Sequence, residues 1–111
     1  MFEVISYVDE KNHCPVENYI HALNKKDQDK ILEYYRHLEA EGRSIRRPAA
    51  DYLGGKTGLY ELRPGRHRIL YFLLGRDKAV LLHAFLKRTD KIPMSEIKIA
   101  MKRKDDFLRR T

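Results

Sequence analysis

The sequence predicts an α+β fold in the order β-α-α-β-β-β-α, with a helical hairpin on one face of a mainly antiparallel sheet and a helix at the C-terminus. Three observations carry that prediction. Residues 2–8, FEVISYV, alternate and are rich in β-branched and aromatic side chains. Two following stretches repeat apolar residues at i, i+3, i+4 and i+7. From Gly58 onward, three apolar runs are parted by short Gly-containing reversals.

After the first strand, residues 9–13 are polar loop. Pro15 suits a first helical turn, and Val16, Tyr19, Ile20 and Leu23 then form one apolar face. Asp27 is placed to cap a second helix, in which Ile31, Tyr34, Tyr35 and Leu38 repeat the spacing until Gly42 stops it. Residues 43–56 have no period and read as loop with at most one short helical turn. GLYELR, RILYFLL and AVLLHAFLKR are the three strands of a meander, reversed at Pro64-Gly65 and at Gly75-Arg76-Asp77. Pro93 opens a last helix, where Met94, Ile97, Ala100, Met101 and Leu108 lie along one side and Lys98, Lys102 and Arg109 elsewhere.

A chain of 111 residues with a hydrophobic fraction of 42% and no low-complexity tract reads as one domain, residues 1–111, with a core of its own. The first residues lack the basic and apolar regions of a secretory signal, and no apolar run approaches the roughly 20 residues of a membrane span. Cys14 is the only cysteine, which excludes an intrachain disulfide and a thiolate metal cluster and fits a reducing, cytoplasmic setting. Histidines 13, 21, 37, 67 and 83 show no metal-ligand spacing, and Gly54-Gly55-Lys56 is too short for a phosphate loop, so no metal or cofactor is expected. The net charge of +7 is segregated. Residues 1–42 hold five bases against nine acids, whereas residues 43–111 hold 18 bases against seven. Such asymmetry points to a polyanionic partner for the positive part.

Within the meander, basic residues interrupt apolar strands. Side-chain alternation puts Glu61 and Arg63 on one face with Leu59, and Arg68 on a face with Leu70 and Phe72, while His67 points the other way. A tight turn separates Arg63 from Arg68, and the third strand returns antiparallel, so its terminal Lys87 and Arg88 also come near Arg68. The cations therefore gather at one sheet end, with Arg66 on the turn and with Lys56, Arg46 and Arg47 as candidate borders. A guanidinium keeps its proton when desolvated, so it must be paired, exposed or available to an anion.

LYELR, HRILYF, VLLHAFLKRT and PMSEIKIAMKR together resemble the RelE/ParE superfamily of type II toxin-antitoxin toxins, in particular its HigB-like, phage Gp49-like branch. The resemblance spans nearly the whole chain in the same element order. It implies a RelE-like fold and a small basic, metal-independent endoribonuclease that cuts messenger RNA in the A site of the 70S ribosome. It also implies neutralisation by a cognate antitoxin, often of helix-turn-helix type, and no membrane partner. Arg68 matches the arginine of the family's tyrosine-arginine strand motif, with His67 in the tyrosine's place, and Arg63, Lys87 and Arg88 match further basic positions. In the best studied relatives a lysine stands where Glu61 falls, and a tyrosine of the last helix falls near Lys98. The general base is thereby left open among Glu61, His67, His83 and Lys56. Lys56, Arg46, Arg47, Arg66, His83 and Lys91 are candidates for RNA contact. The alternatives within the superfamily are a ParE-like inhibitor of DNA gyrase and an inactive RNA-binding remnant.

Overall fold

The computed structural model describes all 111 residues. Its elements are β1 (Glu3–Ser6), α1 (Pro15–His21), α2 (Lys25–Glu41), β2 (Ala50–Tyr52), β3 (Tyr60–Leu62), β4 (His67–Leu74), β5 (Lys78–Leu86) and α3 (Met94–Arg110), with a single 3-10 turn at Gly42–Ser44. The five strands form one sheet in the order β1-β5-β4-β3-β2, in which β1 runs parallel to β5 and every other pair is antiparallel. The meander of β3, β4 and β5 is as the turn residues predict, with Gly65 and Gly75 both at φ +63°.

Each sheet face has its own core. Leu62, Ile69, Tyr71 and Leu81 meet Val16, Ile31 and Leu38 of the hairpin, while Leu70, Phe72, Val80, Leu82 and Phe85 meet Ala100 of α3. Two terminal residues of the expected α3 face are instead exposed, Met94 and Leu108, and Phe107 takes part in the packing. The hairpin is stitched by Gln28, whose side-chain amide donates to the carbonyls of Ile20 at 3.0 Å and Leu23 at 3.1 Å, at the end of α1. The cap of α2 is Asn24 rather than Asp27: its Oδ1 accepts from the Asp27 N–H at 2.9 Å, which starts the helix earlier and frees the Asp27 side chain.

Two features escape the periodic reading. Residues 43–56 contain an edge strand, β2, as well as the short helical turn. Ala49 and Leu53 bond to β3 and its flanks, so the N–H groups of Ala50 and Tyr52 face outward. Neither is vacant, because Ala50 donates to the Arg46 carbonyl at 3.2 Å and Tyr52 to the Asp51 carboxylate at 3.0 Å. The edge is thereby closed to donation toward another strand. The second feature is a bulge in β5. Leu70 pairs with His83 but Tyr71 pairs with Leu81, so Leu82 is an extra residue. The bulge reverses the alternation, turning His83 and Phe85 toward α3 and Ala84 toward the hairpin.

Gly42 ends α2 at φ +51°, with its N–H bonded to the Leu38 carbonyl, and a Cβ there would run into the Phe2 ring. Gly42→Ala should therefore destabilise the fold by about 2 kcal/mol, from left-handed strain plus overpacking. A shift of the denaturant midpoint at constant m-value checks this.

Candidate functional site

The site lies on the α3 side of the sheet, at the end where β3 passes into β4. Glu61 pairs with Leu70 across the strands and Arg68 with Phe85. Arg63, one step past the Leu62–Ile69 pair, stands beside Arg68. Glu61 is only 3% exposed, and two guanidiniums share its carboxylate: Arg63 Nε at 3.0 Å from Oε1 and Arg68 Nε at 3.7 Å from Oε2. Those two Nε atoms and Oε2 have no aligned hydrogen bond, so charge rather than hydrogen-bond geometry holds the cluster. Arg68 is further oriented through Nη1, which donates to the carbonyls of Gly65 at 2.7 Å and His67 at 2.8 Å. Burial holds its pKa below the ordinary arginine value, against the pull of Glu61, and it stays cationic at working pH.

Beyond this cluster opens a cavity of about 270 Å³ lined by Arg66, Arg68, Lys87, Arg88, Thr89 and Asp90. The backbone ties its walls together, because the Lys87 N–H donates to the Arg66 carbonyl at 2.9 Å. Arg66, Lys87 and Arg88 have no acid of their own chain within ion-pair distance, and neither does Asp90 have a base. The cavity thus presents uncompensated positive charge to solvent, with a single carboxylate at its rim. Arg63 supports it from behind, through Glu61, rather than lining it.

Several expected residues stand elsewhere. His67 faces the hairpin, with Nδ1 at 2.7 Å from the Tyr19 hydroxyl and Nε2 at 3.3 Å from Asp27, the carboxylate that Asn24 leaves free. It is a cross-link between β4 and the helices, on the face opposite Arg68. Lys56 sits on the turn between β2 and β3, at the far end of β3 from Arg63. Arg46 and Arg47 line a different cavity, and Lys91 is exposed on the loop after β5. His83 shares the site's face but both ring nitrogens are engaged. Arg103 donates to Nδ1 at 3.1 Å, so the proton resides on Nε2, which meets Glu96 at 2.9 Å. Glu61, enclosed by two guanidiniums, is likewise unsuited to take a substrate proton. The four candidate bases are therefore all displaced from the cavity or occupied.

The residues that sequence reading did not single out are Asp90, Thr89, Glu96 and Arg103. Asp90 follows the LKRT run directly, so its neighbourhood was legible; Glu96 and Arg103 reach His83 only because α3 packs across β5. No group of three or more His, Cys, Asp or Glu side chains is assembled that could hold a metal ion.

Removing Glu61 leaves two largely desolvated guanidiniums facing each other, so Glu61→Ala should cost roughly 3 kcal/mol or more in unfolding free energy. Glu61→Asp should recover part of it, and chemical denaturation of the three proteins compares them. His83 gives a separate pH signature. Burial, with the Arg103 charge added, lowers its pKa from the ordinary 6.5 despite the Glu96 hydrogen bond. The unfolded chain then binds the extra proton, so stability is complete above about pH 6.5 and falls as the pH drops through the interval below it. Denaturant midpoints between about pH 7 and pH 5 should show a slope that His83→Gln flattens.

Comparison with known proteins bears on the fold and the family. No curated protein matches the chain. Among solved structures, it is similar to a chain of the crystal structure of the archaeal RelE-RelB complex from Pyrococcus horikoshii OT3, with a TM-score of 0.58 and 22% identity over 81% of this chain and 98% of that one. At that identity the likeness shows the fold, which is RelE-like. Residues 18–105 match the family described as phage derived protein Gp49-like (DUF891), a span that includes most of the hairpin, the whole meander and most of α3. The chain belongs to the Gp49-like family of phage-derived proteins.

Proposed function

We propose that the protein is the toxin of a type II toxin-antitoxin pair, a metal-independent endoribonuclease that cuts messenger RNA on the ribosome in the cytoplasm. The observation that carries this reading is the cavity lined by Arg66, Lys87 and Arg88, none of them ion-paired, together with Arg68 held in place by Glu61, with Asp90 as the one carboxylate on it. A RelE-like fold and membership of the Gp49-like family support it. The partner is a cognate antitoxin, of helix-turn-helix type, whose acidic segment covers the basic cavity.

Cleavage needs no cofactor. The 2′-hydroxyl of the substrate attacks the adjacent phosphorus, the bond to the 5′-oxygen breaks, and a 2′,3′-cyclic phosphate and a free 5′-hydroxyl result. Arg68 and Arg88 stabilise the charge that develops on the phosphoryl oxygens, where preorganised cations in a partly desolvated site act most strongly. Asp90 is the carboxylate on the cavity and takes the 2′-hydroxyl proton. Lys87, whose ammonium can release a proton where guanidiniums cannot, supplies one to the leaving oxygen.

Controlled expression should arrest growth and create new messenger 5′ ends inside reading frames. Arg68→Ala should lower the cleavage rate about 100-fold or more while the thermal transition persists, as expected for loss of a transition-state cation. Asp90→Asn should lower the cleavage rate about 100-fold or more, as expected for loss of a general base. Undiminished cleavage by Arg68→Ala would remove the site, and a DNA-damage response without new messenger ends would mark gyrase as the target instead.

A further inference from the structure

A second cavity, of about 520 Å³, lies beside edge strand β2 and is lined by Arg43, Arg46, Arg47, Asp51, Tyr52 and Tyr60 among others. Resting on the reading of the protein as an RNA enzyme, we infer that this cavity is a second RNA subsite, which takes one unpaired base and its flanking phosphates.

The aromatic half of the argument is a ladder. Buried Tyr71 stacks on Tyr60, with ring centroids 5.4 Å apart and planes inclined by 20°, and Tyr60 meets Tyr52 at 4.8 Å. The series ends at Tyr52, whose plane is inclined by 48° to Tyr60 and which is 49% exposed, so an aromatic side chain is offered to solvent on a base of packed rings. A nucleobase extends such a ladder without sequence preference, since every base has a π-face.

The electrostatic half is a set of arginines oriented mostly by neutral groups. Arg46 donates to the carbonyls of Arg43 at 2.9 Å and Ile45 at 3.2 Å, and Arg43 donates to the Gly75 carbonyl. Those hydrogen bonds orient the two guanidiniums while leaving their charge uncompensated. The carboxylate present, Asp51, is engaged by Arg47 at 2.7 Å and by the Tyr52 N–H, and so does not neutralise the other two. Phosphates on either side of a stacked base would meet this charge.

The same edge argues against a protein strand as occupant, because the outward N–H groups of Ala50 and Tyr52 are already used. A cavity of this size is also within the range that holds one nucleotide. It lies on the hairpin side of the sheet, since Ala50 and Tyr60 pack with the hairpin core, whereas Arg68 is on the α3 side.

The test uses the full chain and short single-stranded 2′-O-methyl RNA carrying 2-aminopurine, which binds without being cut. Wild type should quench the 2-aminopurine by stacking. Tyr52→Ala should weaken binding about tenfold and lose the quench, while Tyr52→Phe should keep both. Changing Arg43 and Arg46 together to Gln should reduce the salt slope by about 1.4, or about 0.7 for each phosphate no longer neutralised. Unchanged affinity and quench in Tyr52→Ala overturns the subsite, as does preferential capture of an acidic peptide over RNA at Tyr52. Arg68→Ala separates the two sites: it should abolish cleavage of ordinary RNA yet keep the quench. If Arg68→Ala loses cleavage while Tyr52→Ala changes nothing, this subsite falls and the proposed function stands. If wild type neither cuts nor binds RNA, both fall.

Discussion

One carboxylate shared by two guanidiniums organises the end of this sheet that holds the candidate site. Glu61 is buried where β3 meets β4, and Arg63 and Arg68, standing against its two oxygens, offset the cost of keeping it there. The converse also holds, since neither guanidinium could be desolvated so far without an anion between them. One negative charge facing two positive ones leaves the cluster cationic, and Arg68 carries that surplus into the adjoining cavity. An ion pair thus acts as a mount, holding a cation rigid without cancelling it. The carbonyls of Gly65 and His67 complete the mount without adding charge.

The rest of the fold brings neighbours to that mount. Without the extra residue at Leu82, Phe85 would turn toward the hairpin and β5 would present a different set of side chains beside Arg68. The bulge therefore decides which face the end of β5 shares, and a local irregularity in one strand composes the site. On the opposite face the hairpin is anchored to β4 through His67, Tyr19 and Asp27, which keeps the start of that strand fixed from behind. Adjacent residues of β4, His67 and Arg68, accordingly do different work: one secures the scaffold and the other serves the cavity.

What was legible in the sequence is what short-range chemistry determines. Helical spacing, the Gly42 stop and the Gly65 and Gly75 reversals need no knowledge of distant partners, and once a meander is granted, Arg68, Lys87 and Arg88 must share an end. The rest depends on contacts between remote segments. β2 is three residues long and has no period to detect, and it becomes a strand by pairing with β3. Asn24 and Asp27 are equally good cap residues, and His67 claims the second through tertiary structure. The resemblance placed His67 at a functional position, yet its own alternation already set it on the other face. His83, similarly, is a free imidazole in the sequence and a fully bonded one once Arg103 and Glu96 arrive from α3.

The charge distribution ties substrate and inhibitor together in the proposed function. Three cations without ion-pair partners around one small cavity, with a single carboxylate at its rim, repel one another, and that repulsion is a standing cost to the folded state. Any anion that enters relieves it, and its binding stabilises the fold by mass action. A phosphodiester and an acidic antitoxin segment draw on the same relief, so they cannot both have it in full. In the proposed function, an antitoxin segment that occupies the cavity would satisfy the charge that RNA would otherwise satisfy. Although residues 1–42 carry nine acids against five bases, no acid of the chain forms an ion pair with Arg66, Lys87 or Arg88, and that is the property both partners would exploit.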